Sequence, residues 1–139
     1  MPRTVKNQGF SLIELLLVVT LIGIISAIAI PSFMGQRARA RLIGDAQSNA
    51  QALRMQLETL KADTGTYGTA GAYTWTSGVP GATAATLLPS FTPGSSKMNM
   101  TLTVGATGLT YTIAVADPSL PGTPNVYKTD QTGASLALP

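Results

Sequence analysis

Cysteine and histidine are missing from this chain altogether, and charge is scarce: Asp, Glu, Lys and Arg together make up 11% of it. Without thiols or imidazoles there is no disulfide framework, no thiolate nucleophile, no zinc site of the usual Cys or His type and no imidazole acid/base catalysis. The missing thiols say nothing about compartment, because an exported domain of 139 residues can be stable without disulfides. Aromatic residues are also few, and before Tyr67 only Phe10 and Phe33 occur, which leaves no aromatic track for a conductive stem. The charge is unevenly placed. Arg3, Lys6, Arg37, Arg39, Arg41 and Arg54 carry most of a net +3, whereas beyond Thr64 only Lys97, Asp117, Lys128 and Asp130 are charged. Two acids in so long a stretch give an enzyme little to work with. No catalytic residue is identified and no cofactor is expected.

What is abundant is apolar character, 45% of the chain, concentrated between Phe10 and Ile30. A chain of 139 residues has room for about one core. Met1 to Gly9 is short, polar and basic and reads as a leader (residues 1–9) and not as part of the fold. Phe10 to Ile30 contains 21 residues with one charge, Glu14. As a helix it spans about 31 Å, close to the thickness of a bilayer's hydrocarbon core. An ordinary secretory signal would have a shorter apolar core followed by small residues, whereas Ser26, Ala27 and Ala29 lie inside this run. The span is therefore read as a membrane helix over residues 10–31.

After Pro31 the pattern becomes periodic. Leu42, Ala46, Ala50, Leu53, Leu57 and Leu60 recur at spacings of three and four, one apolar face of a helix over residues 32–63. Arg39, Gln47, Gln51, Arg54 and Glu58 stand opposite it, and Gly65 offers the stop. Pro31 should kink the helix where the span ends. Residues 64–139 form the head. Thr66 to Ser96 is rich in Gly, Thr, Ala and Pro and reads as a long loop (64–97) pinned by Tyr67, Tyr73, Trp75, Val79, Leu87, Leu88 and Phe91. An antiparallel sheet over 98–139 follows. Met98, Met100, Leu102 and Val104 alternate with polar residues, as do Leu109, Tyr111, Ile113 and Val115, giving two half-buried strands. Val126 to Lys128 and Ser135 to Leu138 flank a Thr132-Gly133 turn as two weaker strands. The expected class is α+β: a long N-terminal helix, apolar then amphipathic, on a small antiparallel sheet of about four strands.

The stretch Lys6-Asn7-Gln8-Gly9-Phe10-Ser11-Leu12-Ile13-Glu14-Leu15 resembles the N-terminal signature of type IV prepilins and of the related pseudopilins of type II secretion. A basic leader ending in Gly, an aromatic next, a glutamate four residues later and an unbroken apolar helix make a specific pattern. The resemblance is detailed over residues 6–62 and general beyond them. It implies cleavage after Gly9 by a membrane-embedded prepilin peptidase, N-methylation of the new terminus at Phe10, and a single-pass precursor in the inner membrane with a cytoplasmic N-terminus. The assembled product is then a pilus at the cell surface, or a periplasmic pseudopilus. Implied partners are other subunits of a helical homopolymer, the peptidase, an inner-membrane assembly platform, and lipid before assembly.

Glu14 is the residue that physical chemistry singles out, since a carboxylate costs about 2.5 to 3.5 kcal/mol at the bilayer centre and less toward the interface. The resemblance gives it a role: it pairs with the free α-amine of Phe10 on a neighbouring subunit. Removing the leader creates that amine and deletes the charges of Arg3 and Lys6. Gly23 and Pro31 bracket a segment that loses helical order when related filaments pack. The resemblance leaves two uses open, a surface pilus serving adhesion, motility or DNA uptake, and a secretion pseudopilus. Arg37, Arg39 and Arg41 lack the interleaved aromatics of a nucleic-acid site and fit lipid headgroups or acidic neighbours better. They outnumber the positive charges ahead of the span, so the cytoplasmic N-terminus follows from the resemblance and not from the positive-inside rule. Asp117 and Asp130 are the only acids for a calcium site in the head, and no metal site is assigned. Asn99-Met100-Thr101 is a glycosylation-like triplet within an expected strand.

Overall fold

A computed structural model describes residues 9–94, 97–120, 122 and 125–136, except for the side chains of residues 31 and 32. Contacts divide the chain into two compact units, Met1–Arg39 and Ala40–Pro139, and the boundary falls inside the first helix.

That helix, α1, runs from Leu12 to Thr64, and its assignment continues through Gly23 and Pro31. Its start and stop have local causes. Ser11 precedes the first turn, and its carbonyl accepts the first helical hydrogen bond, from Leu15 N–H at 3.2 Å. At the other end Gly65 takes φ +82°, a left-handed conformation that glycine adopts without a Cβ penalty, and its N–H closes on the Lys61 carbonyl at 2.8 Å.

In the unit from Ala40 onward the helix carries the apolar face that the periodicity predicts. Ala46, Ala50, Leu53 and Leu57 are fully buried, and Leu42 and Leu60 pack at the margin. They share one core with an antiparallel sheet of five strands: β1 (Gly71–Thr76), β2 (Val79–Pro80), β3 (Asn99–Val104), β4 (Tyr111–Ala116) and β5 (Asn125–Asp130), in the order β2-β1-β3-β4-β5. The register places Leu102 opposite both Tyr73 and Ile113, and Met100 opposite both Trp75 and Val115. Successive side chains of a strand alternate between faces, so these pairs line the one face that is buried. Trp75 meets Phe91 edge-on at 5.4 Å, which anchors the segment before β3 to the core.

Four expectations change. The 64–97 segment is not a loop throughout: it holds β1, β2 and a short helix α2 (Ala82–Leu87). Tyr73 and Trp75 alternate with exposed Ala72, Thr74 and Thr76, a period of two masked by glycine-rich flanks. Leu109 is half exposed, because it lies in the β3–β4 connection ahead of β4. Val79 is likewise exposed, beside the Ser77-Gly78 turn. Of the expected strand at 135–138, Ser135 makes only an isolated bridge with Thr129, and residues 137 and 138 lie outside the described ones.

The β3–β4 connection is tied to the end of α1. Gly108 has φ +68°, its carbonyl accepts Tyr67 N–H at 2.8 Å, and an added Cβ would sit 2.8 Å from the Gly68 carbonyl oxygen. Glycine is required there by both conformation and space.

Candidate functional site

Among the described residues of the N-terminal unit, the large apolar side chains are solvent-exposed. Every large hydrophobic side chain described from Phe10 to Met34 is exposed, Phe10 at 84% and Leu12 at 76%. The stretch is long and apolar enough to cross a membrane. Within it Thr20 Oγ1 donates to the Leu16 and Leu17 carbonyls at 3.0 and 2.9 Å. A side chain satisfied by its own helix can enter an apolar phase at low cost.

Glu14 stands at the start of this helix, in its first turn. Its Oε2 accepts the backbone N–H of Ser11 at 3.1 Å. Ser11, Leu12, Ile13 and Glu14 therefore form one arm of a capping box, in which the third helical residue reaches back to the N-cap amide. A carboxylate here also meets the positive end of the helix dipole. Sequence reasoning overlooked Ser11, although the Ser-x-x-Glu spacing was its signal.

Gly9 and Phe10 lie immediately ahead of the cap, and residues 1–8 of the expected leader lie outside the described ones. A Cβ built on Gly9 meets nothing within 4 Å, and the same holds at Gly23. No described part of the chain requires glycine at either place. Pro31 lies within the helical assignment.

The other polar cluster ties the helix to the sheet. The Tyr67 hydroxyl donates to Glu58 Oε1 at 2.9 Å, Lys61 Nζ donates to the Tyr67 hydroxyl at 3.2 Å, and Arg54 Nε donates to the Tyr111 hydroxyl at 3.3 Å. The two tyrosine rings meet edge to face at 4.6 Å. Burial pushes the Tyr111 hydroxyl above its ordinary pKa, against the opposing pull of Arg54. Arg54 and Glu58, placed by periodicity opposite the core, flank it instead. Their long stems let the charged ends reach buried hydroxyls.

Asp117 and Asp130 are not brought together. Asp130 pairs with Thr112, five residues before Asp117 along β4, which separates the two acids by roughly 16 Å. Each closes its own turn: Asp117 Oδ1 accepts Ser119 N–H at 2.8 Å, and Asp130 Oδ1 accepts the Thr132 hydroxyl at 2.6 Å. Ser119, through its hydroxyl and then its N–H, holds the Asp117 carboxyl below the ordinary range. Among the described residues no three acidic side chains gather. Asn99 Oδ1 accepts Ser77 N–H at 3.0 Å, so the amide of the glycosylation-like triplet is engaged in a turn. An open groove of about 780 Å³ beside β1 and α2 is lined by Leu60, Tyr73, Thr83, Thr86, Leu87 and neighbours, with no charged side chain.

The comparisons agree with the N-terminal signature. Residues 5–30 match the family described as the prokaryotic N-terminal methylation motif. The chain is 50% identical over 48 residues to the type IV major pilin protein PilA of Myxococcus xanthus (strain DK1622), a match covering 34% of this chain and 21% of that protein. The likeness thus spans about a fifth of the relative's length. No solved structure matches.

Proposed function

We propose that this chain is a structural subunit of a type IV pilus-like filament and not an enzyme. The observation that carries the reading is the stretch from Phe10 to Met34: large apolar side chains exposed throughout, with one carboxylate, Glu14, in the first turn. Apolar surface on this scale is seldom left in water. Lipid covers it before assembly and neighbouring copies cover it afterwards. The methylation motif over residues 5–30 and the likeness to a major pilin support the same reading.

In this reading a peptidase cleaves after Gly9, the new terminus at Phe10 is methylated, and the amine pairs with Glu14 of an adjacent subunit. Because the described part of the chain leaves Gly9 free of steric demand, the need for glycine is assigned to the protease cleft. The precursor sits in the inner membrane with its N-terminus in the cytoplasm, and an assembly platform extracts it into the filament. Loss of helical order between Gly23 and Pro31 belongs to the packed state, since α1 is assigned without a break there in the single chain.

Glu14→Ala tests the reading. It removes the only charge of the apolar run, so membrane residence becomes more favourable and a loss of filaments cannot come from poor insertion. The expected outcome is normal cleavage with filament incorporation abolished or severely reduced. Normal filament yield without wild-type subunits present would refute the pairing.

A further inference from the structure

We propose that the backbone N–H of Ser11 is a positioning donor for Glu14, holding one carboxylate oxygen in the unassembled subunit so that the other is presented to the incoming amine. The inference rests on the filament reading above and adds a residue to it.

The Ser11 amide precedes the first helical hydrogen bond, so the helix backbone offers it no acceptor. Glu14 Oε2 accepts it at 3.1 Å. Among the described residues Oε1 has no hydrogen-bond partner, and neither has the Ser11 hydroxyl, so the reciprocal half of the capping box is not made. The contact therefore depends on the peptide N–H and not on the serine side chain. Removing the leader does not disturb it, because the Phe10–Ser11 peptide bond survives cleavage after Gly9. A glutamate has three side-chain torsions, and fixing them before docking lowers the ordering cost of the ion pair. The donor and the helix dipole also offset the cost of holding a charge close to lipid. The carboxylate thus arrives oriented, with one oxygen bonded internally and one open.

Two substitutions separate amide from side chain. Ser11→Ala keeps the N–H, whereas Ser11→Pro deletes it at the N-cap, one position before the helix, where no intrahelical hydrogen bond uses that N–H. Ser11→Ala should give filaments at wild-type yield, and Ser11→Pro should reduce the yield by roughly tenfold, the ratio for losing a hydrogen bond to a charged acceptor. Intact mass of the membrane fraction confirms that Ser11→Pro is still cleaved after Gly9. Cleaved Ser11→Pro protein that assembles normally overturns the proposal, as does Ser11→Ala protein that fails. Should the proline variant resist cleavage, amide exchange decides. In the full chain, labelled with nitrogen-15 serine and held in phospholipid nanodiscs, the Ser11 signal is assigned by its absence in Ser11→Pro. Its exchange should be roughly tenfold slower than in Glu14→Ala, and equal rates overturn the proposal. Failure of the readings beneath it looks different: if the Glu14–amine pairing is wrong, Glu14→Ala itself assembles whatever the Ser11 variants do, and if the filament reading is wrong, the wild-type chain forms no filaments.

Discussion

Leu57→Ala is the sharpest test of how α1 joins the sheet. Leu57 is fully buried in the same core as Met100, Leu102, Tyr111 and Ile113. The substitution deletes three carbons, a transfer loss of about 2.4 kcal/mol at about 0.8 kcal/mol for each. The site is walled by helix on one side and strands on the other, so it collapses only in part. A cavity contribution then brings the total into the range of about 2 to 5 kcal/mol. Met55, two positions away and 73% exposed, is the control, and Met55→Ala should stay within about 0.5 kcal/mol. The assay is thermal and urea unfolding of a fragment of residues 34–139, which keeps the unit from Ala40 onward and leaves out most of the apolar run. A loss of about 2 kcal/mol lowers Tm by roughly 8 to 16 °C in a domain near 100 residues. A Leu57→Ala fragment that melts with the Met55→Ala control would mean that the helix presents a different face to the sheet.

The mature chain should begin at Phe10, and intact mass of sheared filaments decides it: a terminus at Met1, or one beyond Ala27, would end the pilin-like assignment. Gly9→Val should leave the protein in the membrane but uncut, and processed protein in that variant would show that the peptidase does not need glycine there. Asp117 should shape acid stability. It is buried, and Ser119 holds its carboxyl below the ordinary value, so the folded pKa lies under the unfolded one. Its contribution is complete above the unfolded value near pH 4 and fades as pH falls through the folded pKa. Urea unfolding of the same fragment between pH 6 and pH 2 should therefore show a steeper acid decline in wild type than in Asp117→Asn, and parallel curves would rule out the linkage.

Much of this protein is local in origin and therefore legible in its sequence. The apolar run, the lone Glu14 within it, the stop at Gly65 and the Ala46-Ala50-Leu53-Leu57 stripe depend on neighbours within a few positions. So do the alternating residues of β3 and β4, because side-chain periods of 3.6 and 2 are properties of the chain itself. The Ser11–Glu14 contact is local too, and its spacing could have been read in advance. What tertiary structure decided are the partnerships between distant positions. The bond from Arg54 to Tyr111 joins residues 57 apart, and nothing in the helical pattern shows that a cation opposite the apolar stripe will turn to a buried hydroxyl. The strand β1, within a segment whose composition reads as loop, is held by pairing with β3 across more than twenty intervening residues. Leu109 continues the alternation of β4 in sequence, yet it is exposed because the chain turns at Gly105 to Gly108 and the ladder begins only at Tyr111. Periodicity fixes which face a residue belongs to, whereas burial depends on what the rest of the chain brings against that face.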